Sequence, residues 1–423
     1  MGTAPAFLLL TNAEKLRIMY TYKKMGGVHM DNAYGLQITA LLRGGLCAET
    51  VTLHTAVDVQ ALTDIAVRQG IVAPLFCGLL GTGFAAGSPE MTPLLKAYGN
   101  VVYTVEVQER ALCALFADFA AAGVDFMPLK GAALRELYAR PELRAMGDAD
   151  ILIRTAQYAD AAAVMKARGF VQVQESAHEW IFQNDALQVE LHKCPFAPYE
   201  KTLYGFFGDG WAHAVPLGNC RFTLSDTDGF VYLFAHFAKH YKNGGVGLRQ
   251  LADLWVYRRA KAVDEDAVLA ALDKMEFAAF YRHICTLLAV CFDGAPPAED
   301  DRRTPFILNF LLSGGSFGTP EEKRAAAAAR TGGTDTAAIR ERETRRLLFP
   351  PLADMRLHYK ALRKAPFLLP LFWLWRGVRT LFTPHKMKAR LQGVKALRAE
   401  DAARHNAALA FVGLTADGGE RDG

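Results

Sequence analysis

Arg144-Ala-Met-Gly-Asp-Ala-Asp-Ile-Leu-Ile153 is the stretch that decides how this chain folds. Its Ile-Leu-Ile ending predicts a buried strand, and on a strand residues i and i+2 share a face, so Asp148 and Asp150 project side by side. Two carboxylates that close repel each other unless one takes a proton or a cation sits between them. Upstream, Phe126-Met-Pro-Leu-Lys-Gly-Ala-Ala-Leu134 turns from an apolar run into Lys130-Gly131. Downstream, Val189-Glu-Leu-His192 brings a third carboxylate, Glu190. Placed on a neighbouring strand, Glu190 completes an oxygen-rich Mg²⁺ site of the kind that metal-assisted phosphoryl or nucleotidyl transfer requires.

The residues around this trio invite specific roles. Lys130-Gly131 lies at a strand-to-helix turn, where backbone N–H groups and a lysine can meet phosphate, and glycine allows close approach. Arg144 can steady a carboxylate or hold a triphosphate. His192 shares the strand face of Glu190 and suits a hydrogen bond that shapes the site better than the role of catalytic base. His236 and His240 stand four apart, as in zinc-binding helices, but lack an intervening Glu or an obvious third ligand. Set among Phe, Leu and Ala, they are expected in the core or at an interface.

Around this centre the hydrophobic periodicity switches twice. Residues 31–122 read as helical, over Leu36–Leu42, Val57–Gln69 and Leu94–Ala122, with Gly123 as the terminal glycine. Residues 123–225 alternate strands and short helices. They include Val124–Leu129, a helix over Gly131–Tyr138, Met146–Ile153, a helix over Thr155–Arg168 and a strand over Phe170–Gln174. Asn184-Asp185 between His178–Gln183 and Leu187–Lys193 is hairpin chemistry. Ser225-Asp-Thr-Asp228 starts a helix, and residues 226–415 are helical again, interrupted at Gly244-Gly245. Within Leu248–Ala260, Arg249 and Asp253 are spaced for an i, i+4 ion pair. Ala325–Ala329 is helical material and Thr331-Gly-Gly-Thr334 a loop. Residues 1–30 read as an extension ahead of this pattern and 416–423 as a frayed tail. The fold expected is α+β: a small mixed β-sheet core between helical N- and C-terminal regions.

The chain has 423 residues, half of them hydrophobic and 22% charged, enough for two or three domains with a sizeable core. Seven scattered cysteines, never Cys-x-x-Cys, predict reduced thiols and a cytoplasmic location, and argue against a disulfide frame or a zinc ribbon. No segment reaches the roughly 18 apolar residues of a membrane span. Of 48 basic residues, eleven fall between Arg356 and Arg398, where there is no Asp or Glu, leaving 37 against 44 acidic residues elsewhere. That segment is a candidate contact for an anionic partner, RNA or a membrane surface. Inside it, Ala365-Pro-Phe-Leu-Leu-Pro-Leu-Phe-Trp-Leu-Trp375 is expected to form a buried terminal helix with a basic outer face.

The Leu-Lys-Gly turn, Tyr138, Arg144, Asp-Ala-Asp-Ile-Leu-Ile and Glu-Leu-His together resemble the uncharacterised nucleotidyltransferases of the polymerase-β-like superfamily. The resemblance continues through His236, His240 and Leu248-Arg-Gln-Leu-Ala-Asp253, and reaches Leu348-Phe-Pro-Pro351 and Leu368-Leu-Pro370. The superfamily's usual Gly-Ser turn is Lys130-Gly131 here. The resemblance implies transfer of a nucleoside monophosphate from an NTP to a hydroxyl acceptor (small molecule, protein or RNA). It also implies Mg²⁺ or Mn²⁺ held by Asp148, Asp150 and Glu190, and phosphates contacted by Lys130, Gly131 and Arg144. The alternatives from other classes are a catalytically silent nucleotide-binding or interaction protein, and a basic RNA- or membrane-surface-associated adaptor.

Overall fold

Seven strands, β1 (Phe126–Pro128), β2 (Asp148–Ile153), β3 (Val171–Glu175), β4 (Glu179–Gln183), β5 (Gln188–His192), β6 (Ala214–Gly218) and β7 (Arg221–Leu224), form one mixed sheet in the order β3-β4-β5-β2-β1-β7-β6. The computed structural model describes residues 32–415 apart from 177, 315–317, 331–334, 353–354, 356–358, 360 and 382–383. The N-terminal extension, the tail after residue 415 and the loop expected at 331–334 therefore lie outside the described residues. β2 runs antiparallel to β1 and parallel to β5, while β1 runs parallel to β7. The hairpin expected around Asn184 joins β4 to β5, its side-chain oxygen accepting from the backbone N–H groups of Ala186 and Leu187 at 2.9 Å.

Strand alternation divides the sheet into two chemically different faces. On one, Ala149, Ile151, Ile153, Val189 and Leu191 pack with Leu112, Leu115 and Phe119 of the helix Thr92–Ala121 and with Ala161 and Met165 of Tyr158–Ala167. Gly123, at φ +69°, follows the first of these helices, a conformation glycine takes without a Cβ penalty. The other face presents Asp148, Asp150 and Leu152 beside Gln188, Glu190 and His192. Here Met127, Leu152 and Leu224 join the main core with Phe196, Phe207 and the helix Asp226–Lys242. That helix opens at Ser225, whose hydroxyl accepts from Asp228 N–H, as its sequence predicts.

Two expectations are corrected. Asp253 is not paired with Arg249. It accepts two hydrogen bonds from Arg144, at 3.0 and 2.8 Å, and one from the Tyr138 hydroxyl at 2.7 Å. Arg249 instead donates to the Ala145 carbonyl at 3.0 Å. A guanidinium fork from a distant loop satisfies a buried carboxylate better than a neighbour on the same helix, which explains the exchange. The second correction concerns the apolar run. Pro366–Leu368 and the helix Leu369–Leu381 place Phe367, Leu371, Leu374, Trp375 and Val378 in solvent, so this helix is not buried.

Candidate functional site

Register brings the charged residues together. β2 and β5 pair Asp150 with Glu190 and Leu152 with His192, so the two carboxylates face each other across one ladder step. One ligand atom from each of Asp150, Glu190 and His192 lies within 4.8 Å of the others, a spacing that could hold a metal ion. His192 Nε2 donates to Asp150 Oδ1 at 2.9 Å and stands 3.7 Å from Glu190 Oε2. Gln188 donates to Glu190 at 3.2 Å. From β1, the Leu129 N–H donates to the Asp150 carbonyl, and the next residue, Lys130, places its ammonium 2.7 Å from Asp150 Oδ1. Lys130 does so from a left-handed backbone (φ +43°), a strained conformation for a residue with a Cβ.

The electrostatics of this knot are unbalanced. Burial pushes the Asp150 carboxyl up, but the Lys130 ammonium and the His192 N–H outweigh it and hold Asp150 well below the usual carboxylate range. Burial pulls Lys130 down, and Asp150 more than reverses this. Among the described residues no Lys or Arg ion pair reaches Glu190, and Lys130 offsets its neighbours only in part. Burial, then the negative charges of Asp150, Asp148 and Glu179, push its carboxyl up to about 8. Negative charge is thus in excess on this patch, the condition under which a divalent cation is bound. His192 Nδ1 is buried without a hydrogen-bond partner among the described residues. The two carboxylates fit a divalent ion, and His192 would join them through Nε2 once its proton moves to Nδ1, giving up the hydrogen bond to Asp150.

The other predicted site residues are distributed differently. Asp148 is half-buried two residues before Asp150 on the same face, outside the tight cluster, where His192 stands in its place. Gly131 begins, with Lys130, a helix of only five residues, Lys130–Leu134. A Cβ on Gly131 would meet Arg144 Nη1 and Met146 Cγ at 2.8 Å, so its smallness serves the approach of the Arg144 loop. Arg144 is buried in its fork with Asp253. Arg135 anchors the same loop, donating to Gln108, to Glu109 and to the Arg144 carbonyl. These bonds fix where β2 begins.

One side of the site was not predicted. Along the helix Asp226–Lys242, Tyr232, His236 and His240 recur every four residues, and all three feel the Lys130 charge. The His236 and His240 rings are 4.3 Å apart. Burial, then Lys130, holds His236 well below its ordinary value, and the same causes with Lys239 lower His240 to about 3. The Tyr232 hydroxyl is buried with no hydrogen-bond partner among the described residues. The i, i+4, i+8 recurrence of polar rings on a helix whose charged residues lie near its ends was the available signal.

A family model described as "Uncharacterised nucleotidyltransferase" matches residues 55–293, more than half of the chain. The chain belongs to this family. The matched region contains the whole sheet, the Asp150–Glu190–His192 cluster and Asp253, and it ends before the basic C-terminal segment. No curated protein and no solved structure matches the chain. Among the described residues, no helix of this nucleotidyltransferase-family protein is long and apolar enough to cross a membrane.

Proposed function

We propose that this protein transfers a nucleoside monophosphate from an NTP to a hydroxyl acceptor, releasing pyrophosphate, with Mn²⁺ or Mg²⁺ held at Asp150, Glu190 and His192 and with Asp148 as a further carboxylate on the same face. The observation that supports this is the carboxylate–imidazole cluster inside a nucleotidyltransferase-family domain. A divalent ion bound there supplies Lewis-acid stabilisation of the triphosphate. The chain's own groups do the rest. Lys130 spends one ammonium hydrogen on Asp150 and keeps two for phosphate oxygens. Glu190, which the bound ion would keep ionised, accepts the proton of the acceptor hydroxyl. The acceptor oxygen bonds to the α-phosphorus as the bond from that phosphorus to the pyrophosphate oxygen breaks. Tyr232 and His236 offer polar atoms from the facing helix to the bound nucleotide.

The test is incubation with NTP labelled at the α- or γ-phosphate in a lysate, with Mn²⁺ or Mg²⁺. Incorporation of α-label with stoichiometric pyrophosphate is expected. Incorporation of γ-label instead makes the protein a kinase, and the reading fails. One observation favours a second reading, a silent nucleotide-binding protein: the Lys130 ammonium already neutralises Asp150 as a cation would. Nucleotide binding with no pyrophosphate release in any lysate decides for that alternative.

A further inference from the structure

The helix Leu369–Leu381 follows the Pro366–Leu368 turn, and contacts of Phe372, Trp373 and Arg376 fix the orientation of its described residues. The Trp373 indole N–H donates to the Pro350 carbonyl at 2.9 Å, and its ring meets Phe349 edge-on at 5.4 Å. Arg376 Nη1 donates to the Leu347 carbonyl at 2.7 Å, and Phe372 packs on Tyr359 with ring centroids 4.6 Å apart. Residues 372, 373 and 376 occupy one arc of the helix. The opposite arc carries Leu371, Leu374, Trp375 and Val378, exposed by 61, 69, 59 and 42%, and Phe367 one turn earlier is 78% exposed. Spacings of four, three, one and three make this a continuous apolar stripe turned outward by the contacts behind it.

We propose that this stripe seats the protein on an anionic lipid bilayer, the helix lying in the plane of the interface with Phe367, Leu371, Leu374, Trp375 and Val378 in the headgroup–acyl boundary. The helix has 13 residues, so at about 1.5 Å per residue it is far too short to span. A short helix with an aromatic and aliphatic face among basic residues suits the interface instead. Charge selects the occupant. From Arg356 to Arg398 there are eleven Lys or Arg and no acidic residue, which complements an anionic surface and opposes none. A second copy of the chain would bring two such segments of like charge together. RNA would satisfy the lysines and arginines but leave Leu371, Leu374 and Val378 in water, since aliphatic side chains offer no stacking platform. This inference is independent of the proposed chemistry.

The experiment is co-sedimentation of the full chain with phosphatidylcholine vesicles, with or without phosphatidylglycerol. Binding should require the anionic lipid and weaken as salt rises. The double variant Leu371→Glu/Leu374→Glu, at exposed positions, should keep the parent's melting temperature and bind about tenfold or more weakly. Tryptophan emission should shift to the blue on binding, a shift lost in Trp375→Phe. The proposal is overturned if the parent ignores anionic vesicles or if the double variant binds them like the parent. It is equally overturned if the same substitutions abolish RNA binding, or a concentration-dependent dimer, while vesicle binding persists.

Discussion

The two faces of β2 and β5 are built from alternate residues of the same two strands, yet they obey opposite rules. Ala149, Ile151, Val189 and Leu191 are closed under helices and fully buried. Asp150, Glu190 and His192 place polar side chains on the reverse side of the same ladder. The apolar face is optimised for burial. The polar face holds Glu190 in a neighbourhood that disfavours its ionised form. Sites that keep such an imbalance exchange stability for binding.

The largest expected effect separates the two faces. Asp150→Asn should abolish metal-dependent nucleotide binding. It should also destabilise the fold, because it removes the charge that balances the enclosed Lys130 ammonium; breaking a buried pair costs about 3–5 kcal/mol. Ile151→Ala, one residue away, should cost about 2–5 kcal/mol through its cavity while the folded fraction binds nucleotide like the parent. Isothermal titration with MnATP, alongside thermal melts, checks both. Equal nucleotide affinity in parent and Asp150→Asn would remove Asp150 from the site.

A second comparison sets Arg144 against Lys130, the two cations expected at phosphate. Arg144→Ala leaves Asp253 buried with one hydrogen-bond partner fewer, a loss of about 3–5 kcal/mol, or more than a hundredfold in folding equilibrium. Nucleotide affinity of the remaining folded protein should be unchanged. A variant that melts like the parent but loses NTP binding would return Arg144 to the phosphates.

How much of this was legible depended on range. Strand alternation and the Asn184 turn are local, so the sequence carried the Asp-Ala-Asp strand, the Glu190 strand and their hairpin neighbour directly. β6 was missed because Pro216 and Gly218 disguise an edge strand, where proline is tolerated. The Arg144–Asp253 fork joins residues far apart in the chain, and no local spacing announces it. For the apolar run the sequence led to a buried helix with a basic outer face, but its outer arc is apolar and exposed, because which arc meets the protein depends on Pro350 and Leu347, remote in sequence.

Glu190 should show its role in rate before affinity. Glu190→Gln keeps the shape and the Gln188 neighbour but cannot accept a proton. It should retain nucleotide affinity within a few-fold and lower the transfer rate by about two orders of magnitude or more, the scale of positioned acid–base and metal-ligand groups. An unchanged rate in a verified transferase assay would leave the polar face with no catalytic member on β5.

The smallest effect is a pH dependence of stability without metal. Folded Glu190, at about 8, retains a proton that the unfolded chain has released above its ordinary 4.5. The unfolded state therefore binds fewer protons in that window, and stability falls as pH rises through it. His236 and His240 act with the opposite sign. Their folded forms are neutral, so stability is lost as pH drops below the ordinary imidazole value of 6.5. Asp150, held low, matters only at more acidic pH. The melting temperature in EDTA should thus decline between pH 6.5 and 8, where the Glu190 contribution stands apart from the other three. Mn²⁺ should flatten the decline by supplying the missing positive charge, and Glu190→Gln should flatten it without metal. Persistence of the slope in Glu190→Gln would assign the excess charge to another group and leave the two faces of the sheet less different than their chemistry implies.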